Sequence, residues 1–341
     1  DGIRDFLLSL VGSEMCIRDS NGAIQPEKRG FAIALLLSIA YSATIGGLAT
    51  LIGTPPNALL AGYLQQTYGI EIGFARWMLV GIPLSATLLA LCWYLLTRSL
   101  YVVGREDCDS RRAAITAELK ALGTISCAEK RAGLVFLSAA TLWLSRPLLQ
   151  EWFPQLSLSD AGIAIGCALA LFAIPAGNGS ADKLMDWKGA ERLPWGVLLL
   201  FGGGLSLAAA VTDSGLASWI GSGLQGLAGW PMIVLLLAVT GLIIGLTEMA
   251  SNTATTAAFL PILGALALSA GHDPILFTVP AALAASCAFM MPVATVPNAI
   301  VFGSGEVPIQ QMARAGLWLN LVGMALITAV GSFLVERALC H

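Results

Sequence analysis

Residues 233–268 read IVLLLAVTGLIIGLTEMASNTATTAAFLPILGALAL: two apolar runs, over 233–246 and 257–268, around a polar stretch at 248–256. Amides and hydroxyls set between apolar runs are costly to bury unless oxygens are wanted there. Hard cations are held by oxygen ligands. A carboxylate calls for hydroxyls, amide donors and helix N-termini. A helical hairpin that breaks at Ser251, Asn252 and Thr253 supplies both sets. The plainer use of such residues is close helix packing, with serine and threonine bonding between helices, and the stretch by itself leaves both readings open.

The rest of the chain sets the solvent. Of 341 residues, 57% are hydrophobic and 11% charged, against about 25% charged in a soluble domain. So few charges cannot cover a water-soluble fold of this length. Further apolar runs occupy 31–45, 77–96, 133–149, 161–175, 195–211 and 317–335, several near the roughly 20 residues that cross a hydrocarbon core about 30 Å thick. Lipid offers no backbone partners, and these runs are too long and too uniformly apolar for barrel strands, so they are expected to be helices. An all-α polytopic membrane protein follows.

The formal charge of −3 gives no sign of nucleic-acid binding. Seven cysteines, Cys16, Cys92, Cys108, Cys127, Cys167, Cys287 and Cys340, include no CxxC pair and suggest neither a disulfide framework nor a metal site. The only histidines are His272 and His341. An intramembrane protease or lipid transferase is the rival class, and against it stands the lack of paired aspartates, of HExxH and of a serine with a plausible histidine partner.

Two other stretches interrupt the apolar pattern alike. Gly53-Thr54-Pro55-Pro56-Asn57 follows the pair Gly46 and Gly47, and Ala294-Thr295-Val296-Pro297-Asn298 follows Met291-Pro292. Proline removes a donor and clashes with the preceding turn, so each helix must open and free its carbonyls. Open backbone at membrane depth is tolerated only inside protein or along a cavity. One such motif reads equally well as a kink; its repetition favours a transporter site at a repeat interface. Glu248 is an ionisable group at membrane depth, either functional or a structural acid paired with a basic residue that the sequence does not identify. Gly202-Gly203-Gly204 has no preceding strand and suits close helix packing rather than a nucleotide loop.

Lysine and arginine in short loops mark the cytoplasmic side. Arg98, Arg105, Arg111, Arg112, Lys120, Lys130 and Arg131 fall between 98 and 131, and Lys183, Lys188 and Arg192 between 177 and 192. Single crossings at 132–149 and 159–175 connect these sides through a loop without basic residues, and the last helix ends outside. Residues 1–20, DGIRDFLLSLVGSEMCIRDS, carry too many charges for a span and resemble translated sequencing-adapter DNA. The expected organisation is therefore a non-native stretch at 1–20, the remainder of a first repeat at 21–104, a cytoplasmic loop at 105–131, and a second repeat with scaffold helices at 132–341.

TEMASNTATTAAFLPI (247–262), SATIGGLATLIGTPPNALL (42–60) and LMDWKGAERLPWGVLLLFGGGLSLA (184–208) resemble the signatures of the divalent anion:sodium symporter family, carriers of dicarboxylates, citrate and, in some branches, sulfate. The resemblance extends from about residue 30 to the C-terminus. It implies an inverted repeat with re-entrant hairpins beside unwound helices, an elevator-like homodimer in the full-length form, and a place in the cell's inner (plasma) membrane. It implies a sodium site at Thr247, Ala250, Asn252 and Ala294, with Gly53 in the other half-site, and a substrate site at Ser251, Asn252, Thr253, Thr295, Thr54 and Asn57. Na+ would be the coupling ion and a C4-dicarboxylate such as succinate the substrate, with sulfate or citrate as alternatives. A sodium:proton or metalloid-anion carrier is the rival among transporters.

Two departures accompany the resemblance. Asn252 precedes Asn298 by 46 residues, and the same spacing before Asn57 places the first Ser-Asn-Thr near residue 11, where none is written. The first part of the first repeat is therefore expected to be missing, and a nonfunctional fragment of such a carrier is a further alternative. Val296 stands where the first half has Pro55, a change with room to alter how the second helix opens.

Overall fold

The computed structural model describes residues 26–101, 116, 124–152, 158–177, 182–191, 193, 195–216, 219, 223 and 230–339. The expectations for 1–20 and for most of 105–131 concern residues outside that set. Among the described residues, regular structure is helical apart from an isolated antiparallel bridge between Pro175 and Lys183. Five helical stretches are long and apolar enough to cross a membrane: Gly30–Leu48, Phe74–Leu100, Cys127–Trp152, Asn252–Ser269 and Ile309–Val335. The all-α polytopic architecture holds.

The helices are α1 (Pro26–Leu48), α2 (Pro55–Tyr68), α3 (Phe74–Tyr94, continued by a π-helical Leu95–Leu100), α4 (Cys127–Trp152), α5 (Asp160–Ala173), α6 (Trp187–Glu191), α7 (Gly196–Asp213), α8 (Met232–Thr247), α9 (Asn252–Ser269), α10 (Ile275–Ala285), α11 (Val296–Gly303), α12 (Ile309–Val330, continued by a π-helical Gly331–Val335) and α13 (Glu336–Leu339). They fall into two compact units. One draws on the described residues of 1–72, 76–118 and 200–341, the other on those of 73–75 and 119–199.

In the larger unit every residue of α10 is buried, and α10 packs on α2, α8, α9 and α12. Both expected interruptions are present as gaps, between α1 and α2 and between α10 and α11. The packing around them is reciprocal. Helix α1, which precedes the first gap, lies on α11, which follows the second; α2, which follows the first, lies on α10, which precedes the second. Two halves related by a pseudo-two-fold axis would pack in that reciprocal way.

Local chemistry explains where these helices stop. Pro55 and Pro56 open the first turn of α2, where a missing N–H costs nothing. The same helix closes on Gly69 at φ 69°, whose N–H returns to Gln65 while that of Ile70 returns to Leu64. The last carbonyls of α1 are met from α3: the indole of Trp77 donates to Leu48 at 3.1 Å, and the Ser85 hydroxyl donates to Ile45. Gly81 permits the approach, since a Cβ there would sit 2.7 Å from the Leu48 carbonyl oxygen.

The smaller unit is organised by a polar cluster. Arg146 pairs with Asp160 at 2.9 Å and donates through Nε to Leu158 at 3.0 Å. Asp160 also accepts the N–H of Phe74 at 3.1 Å, and the Phe74 ring stacks on Trp143 with centroids 5.0 Å apart. The crossing expected at 159–175 begins as anticipated but is helical only to Ala173, because Ile174 turns to extended backbone ahead of Pro175. Asp160→Ala is expected to destabilise this unit by about 1–2 kcal/mol. A fully buried pair loses about 3–5 kcal/mol when one partner goes, and the 26% exposure of the Asp160 side chain reduces that figure. Thermal unfolding in detergent measures it, and an unchanged midpoint would refute the clamp.

Candidate functional site

Three elements of the larger unit converge: the α8–α9 tip, the first gap and the second gap. Helix α8 ends at Thr247, four residues turn the chain, and α9 begins at Asn252 with Ser251 as its N-cap. The tip thus opens at 248–251, just ahead of the Asn252 and Thr253 that were expected to break it. The Ser251 side chain makes no capping bond, which leaves the N–H groups at the start of α9 available to an anion.

The Thr247 hydroxyl lies 2.6 Å from Asn252 Oδ1 and 2.7 Å from the carbonyl oxygen of Ala285. It has one proton for these two acceptors. Three oxygens from the tip and the end of α10 are therefore gathered at one point, and oxygen is the donor type that hard cations take. The next residue, Ser286, donates from its hydroxyl to Thr54 Oγ1 at 3.1 Å. Ala285 and Ser286, adjacent in the chain, thereby tie the second gap to both the tip and the first gap.

The gaps are built alike. Thr54 caps α2 at φ −136°, ψ 146°, and Thr295 caps α11 at φ −138°, ψ 151°. The cap backbone is thus the same with Val296 in place of Pro55, but the Thr295 hydroxyl accepts the N–H of Asn298 whereas the Thr54 side chain makes no capping bond. Asn57 donates from Nδ2 to Thr50 at 3.0 Å, and Asn298 donates to Met291 at 3.1 Å, in each case seven residues back across the gap. Both asparagines are fully buried and both Oδ1 atoms lack a partner. Each Pro-Asn pair thus ties the start of its helix back to the carbonyl seven residues earlier, within the open stretch.

Exposure grades the expected site residues. Thr247, Thr253 and Asn57 are buried; Asn252, Thr54, Ala294 and Thr295 are half-buried; Gly53, Ala250 and Ser251 are open. Hydrogen bonds join Thr247 to Asn252, and Ser286 to Thr54. Thr295 accepts the N–H of Asn298 at 3.4 Å, and the Ala294 N–H donates to Met291 at 3.2 Å. Those two bonds stay within the second gap and the start of α11, and among the described residues no hydrogen bond links Ala250, Ser251, Thr253, Gly53, Ala294 or Thr295 to the Thr247–Asn252 or Ser286–Thr54 pairs.

Glu248, Ser286 and Asn320 complete the arrangement. The sequence is compatible with Glu248 as a functional acid or as one paired with a base. It is 6% exposed, and its four hydrogen-bond donors are the N–H groups of Phe289, Met290 and Met291 and the Nδ2 of Asn320, none of them cationic. Ser286 and Asn320 were not singled out. The only signal for Asn320 is an amide in an otherwise apolar run, and Ser286 is distinguished only by following eleven buried residues.

A profile described as the sodium:sulfate symporter transmembrane region matches residues 16–336. A protein named sodium-dependent dicarboxylate transporter SdcS from Staphylococcus saprophyticus is 43% identical over 322 residues, 94% of this chain and 62% of its own. The protein of the same name from Staphylococcus aureus strain USA300 is 45% identical over 305 residues, 88% of this chain and 58% of its own. The chain spans about three-fifths of the length of the curated relatives it matches.

Proposed function

Because this chain belongs to the sodium:sulfate symporter transmembrane family, as its resemblance to divalent anion:sodium symporters implied, we propose that it is a sodium-coupled secondary transporter of a divalent organic anion, with a C4-dicarboxylate such as succinate as substrate. The observation that carries the reading is the junction at Ala285 and Ser286, where oxygens of the tip and both gaps meet. The names of the relatives support sodium and a dicarboxylate over other pairs. The whole carrier works as a homodimer in the plasma membrane.

Sodium enters as co-transported cargo. Thr247 and Asn252 offer side-chain oxygens, Ala250 and Ala294 offer carbonyls, and Gly53 belongs to the half-site at the first gap. The substrate carboxylates are received by Ser251, Asn252, Thr253, Thr295, Thr54 and Asn57 and by the N-termini of α9 and α11. Basic side chains are absent from these motifs, so bound sodium supplies most of the positive potential and binds first. Asn57, fully buried with its Nδ2 bonded to Thr50, also fixes the backbone behind the Thr54 cap.

Uptake of radiolabelled succinate into proteoliposomes is expected to require an inward sodium gradient and to stop when potassium replaces sodium. Sodium-driven uptake of sulfate or citrate in its place would move the substrate assignment to that anion. Proton-coupled flux without an organic anion would overturn the reading.

A further inference from the structure

We propose that Glu248 is a positioning residue that holds the second gap open and thereby sets the affinity of the site for sodium; the proposal rests on the transporter reading above. The two gaps differ in length although their cap residues share one backbone conformation. The first covers six residues, 49–54, and the second ten, 286–295. Within the longer gap three consecutive N–H groups, those of Phe289, Met290 and Met291, point at one carboxylate at 2.7, 2.9 and 2.9 Å.

Those amides have an obvious alternative. Were α10 to continue, the N–H of Phe289 would bond to the carbonyl of Ala285, that of Met290 to Ser286, and that of Met291 to Cys287, following the i to i−4 rule. Lipid favours that rewinding, because open backbone at membrane depth needs substitute partners. Glu248 supplies them. By taking the three donors it leaves the Ala285 carbonyl oxygen to Thr247, which makes that oxygen part of the cluster described above. The acid therefore acts through the carbonyls it sets free, while its own side chain faces away from them into the gap's amides.

The four donors demand a carboxylate. Oε1 accepts from Phe289, Met290 and Asn320, and Oε2 accepts from Met291. Glutamine has the same size but one acceptor oxygen, so its NH2 group would face an N–H on one side of the nest. Asn320 supports the acid from α12 at 2.7 Å. Gly316, one turn earlier on the same helix, lets that helix lie against the backbone at Phe289 and Met290.

The test compares the protein with Glu248→Gln and Asn320→Ala in two assays: sodium-dependent succinate uptake, and the sodium concentration that protects against thermal unfolding in detergent, with potassium as control. Glu248→Gln is expected to raise the half-saturating sodium concentration about 10-fold or more in both assays, the range seen when a partner behind a metal ligand is removed. Uptake at saturating sodium should fall far less. Asn320→Ala should shift the same quantity in the same direction by a smaller factor. A folded Glu248→Gln protein with unchanged half-saturation in both assays overturns the proposal. If Glu248→Gln does not fold, Asn320→Ala decides, and an unshifted sodium curve overturns it equally. An unsubstituted protein that shows neither sodium-driven uptake nor sodium protection overturns the transporter reading itself, and is told apart by that control.

Discussion

Asn252→Ala is expected to abolish sodium-dependent uptake, leaving less than about 1% of the unsubstituted rate at sub-saturating sodium. Asn252 is the first residue of α9, and its Oδ1 lies 2.6 Å from the Thr247 hydroxyl. In the proposed mechanism it serves twice, with an oxygen toward sodium and a donor toward the substrate carboxylate. Hydrogen bonds to charged groups contribute about 1.5–3 kcal/mol each. Two such losses amount to about 3–6 kcal/mol, more than a hundredfold in binding.

The fold should survive this change. Asn252 is only half-buried, and the capping position belongs to Ser251. Alanine favours a helix interior, and the bond from Thr256 to residue 252 uses the backbone carbonyl, which alanine keeps. A protein that unfolds at the usual temperature yet does not transport is therefore the expected result. Uptake that persists with its normal sodium dependence would remove Asn252 from the site and, with it, the shared role of the α9 N-terminus.

Asn252 also shows what the sequence could and could not disclose. Its neighbours Ser251 and Thr253 were legible as a polar break because hydroxyls between apolar runs stand out against lipid. The two gaps were legible because a threonine and a Pro-Asn pair recur in both, whereas proline alone marks no gap: Pro83, Pro261 and Pro280 lie inside continuous helices. Those signals are local. Thr54 and Ser286 lie 232 residues apart, and nothing in either neighbourhood encodes their meeting.

Glu248 illustrates the limit more sharply. Burying a charged group suggested a cationic partner, because side-chain pairs are what a sequence can list. The donors are instead consecutive main-chain amides, which every residue carries and no letter marks. The unequal gap lengths were hidden for the same reason. Matching threonines and asparagines fix where each gap ends, whereas its beginning depends on whether the preceding helix keeps its own hydrogen bonds.

Gly316→Ala is the structural counterpart, and the larger of the expected losses in stability. A Cβ at Gly316 would overlap the carbonyl oxygen and carbon of Phe289 and stand 2.6 Å from Met290 Cα. These are backbone atoms held by Glu248, so they cannot turn aside as a side chain would. Helix α12 must withdraw, and the 2.7 Å bond from Asn320 to Glu248 lengthens with it. Overpacking at a fixed contact costs about 1–3 kcal/mol. Gly241→Ala is the matched control, because its Cβ would meet Met324 Sδ at 3.1 Å, the flexible part of a side chain that can shift. The expected outcome is a clear drop in thermal midpoint and in folded yield for Gly316→Ala and little change for Gly241→Ala, measured side by side in detergent. Equal stability of the two variants would show that the second gap is not clamped between α8 and α12, and the case for Glu248 as its holder would lose its second wall.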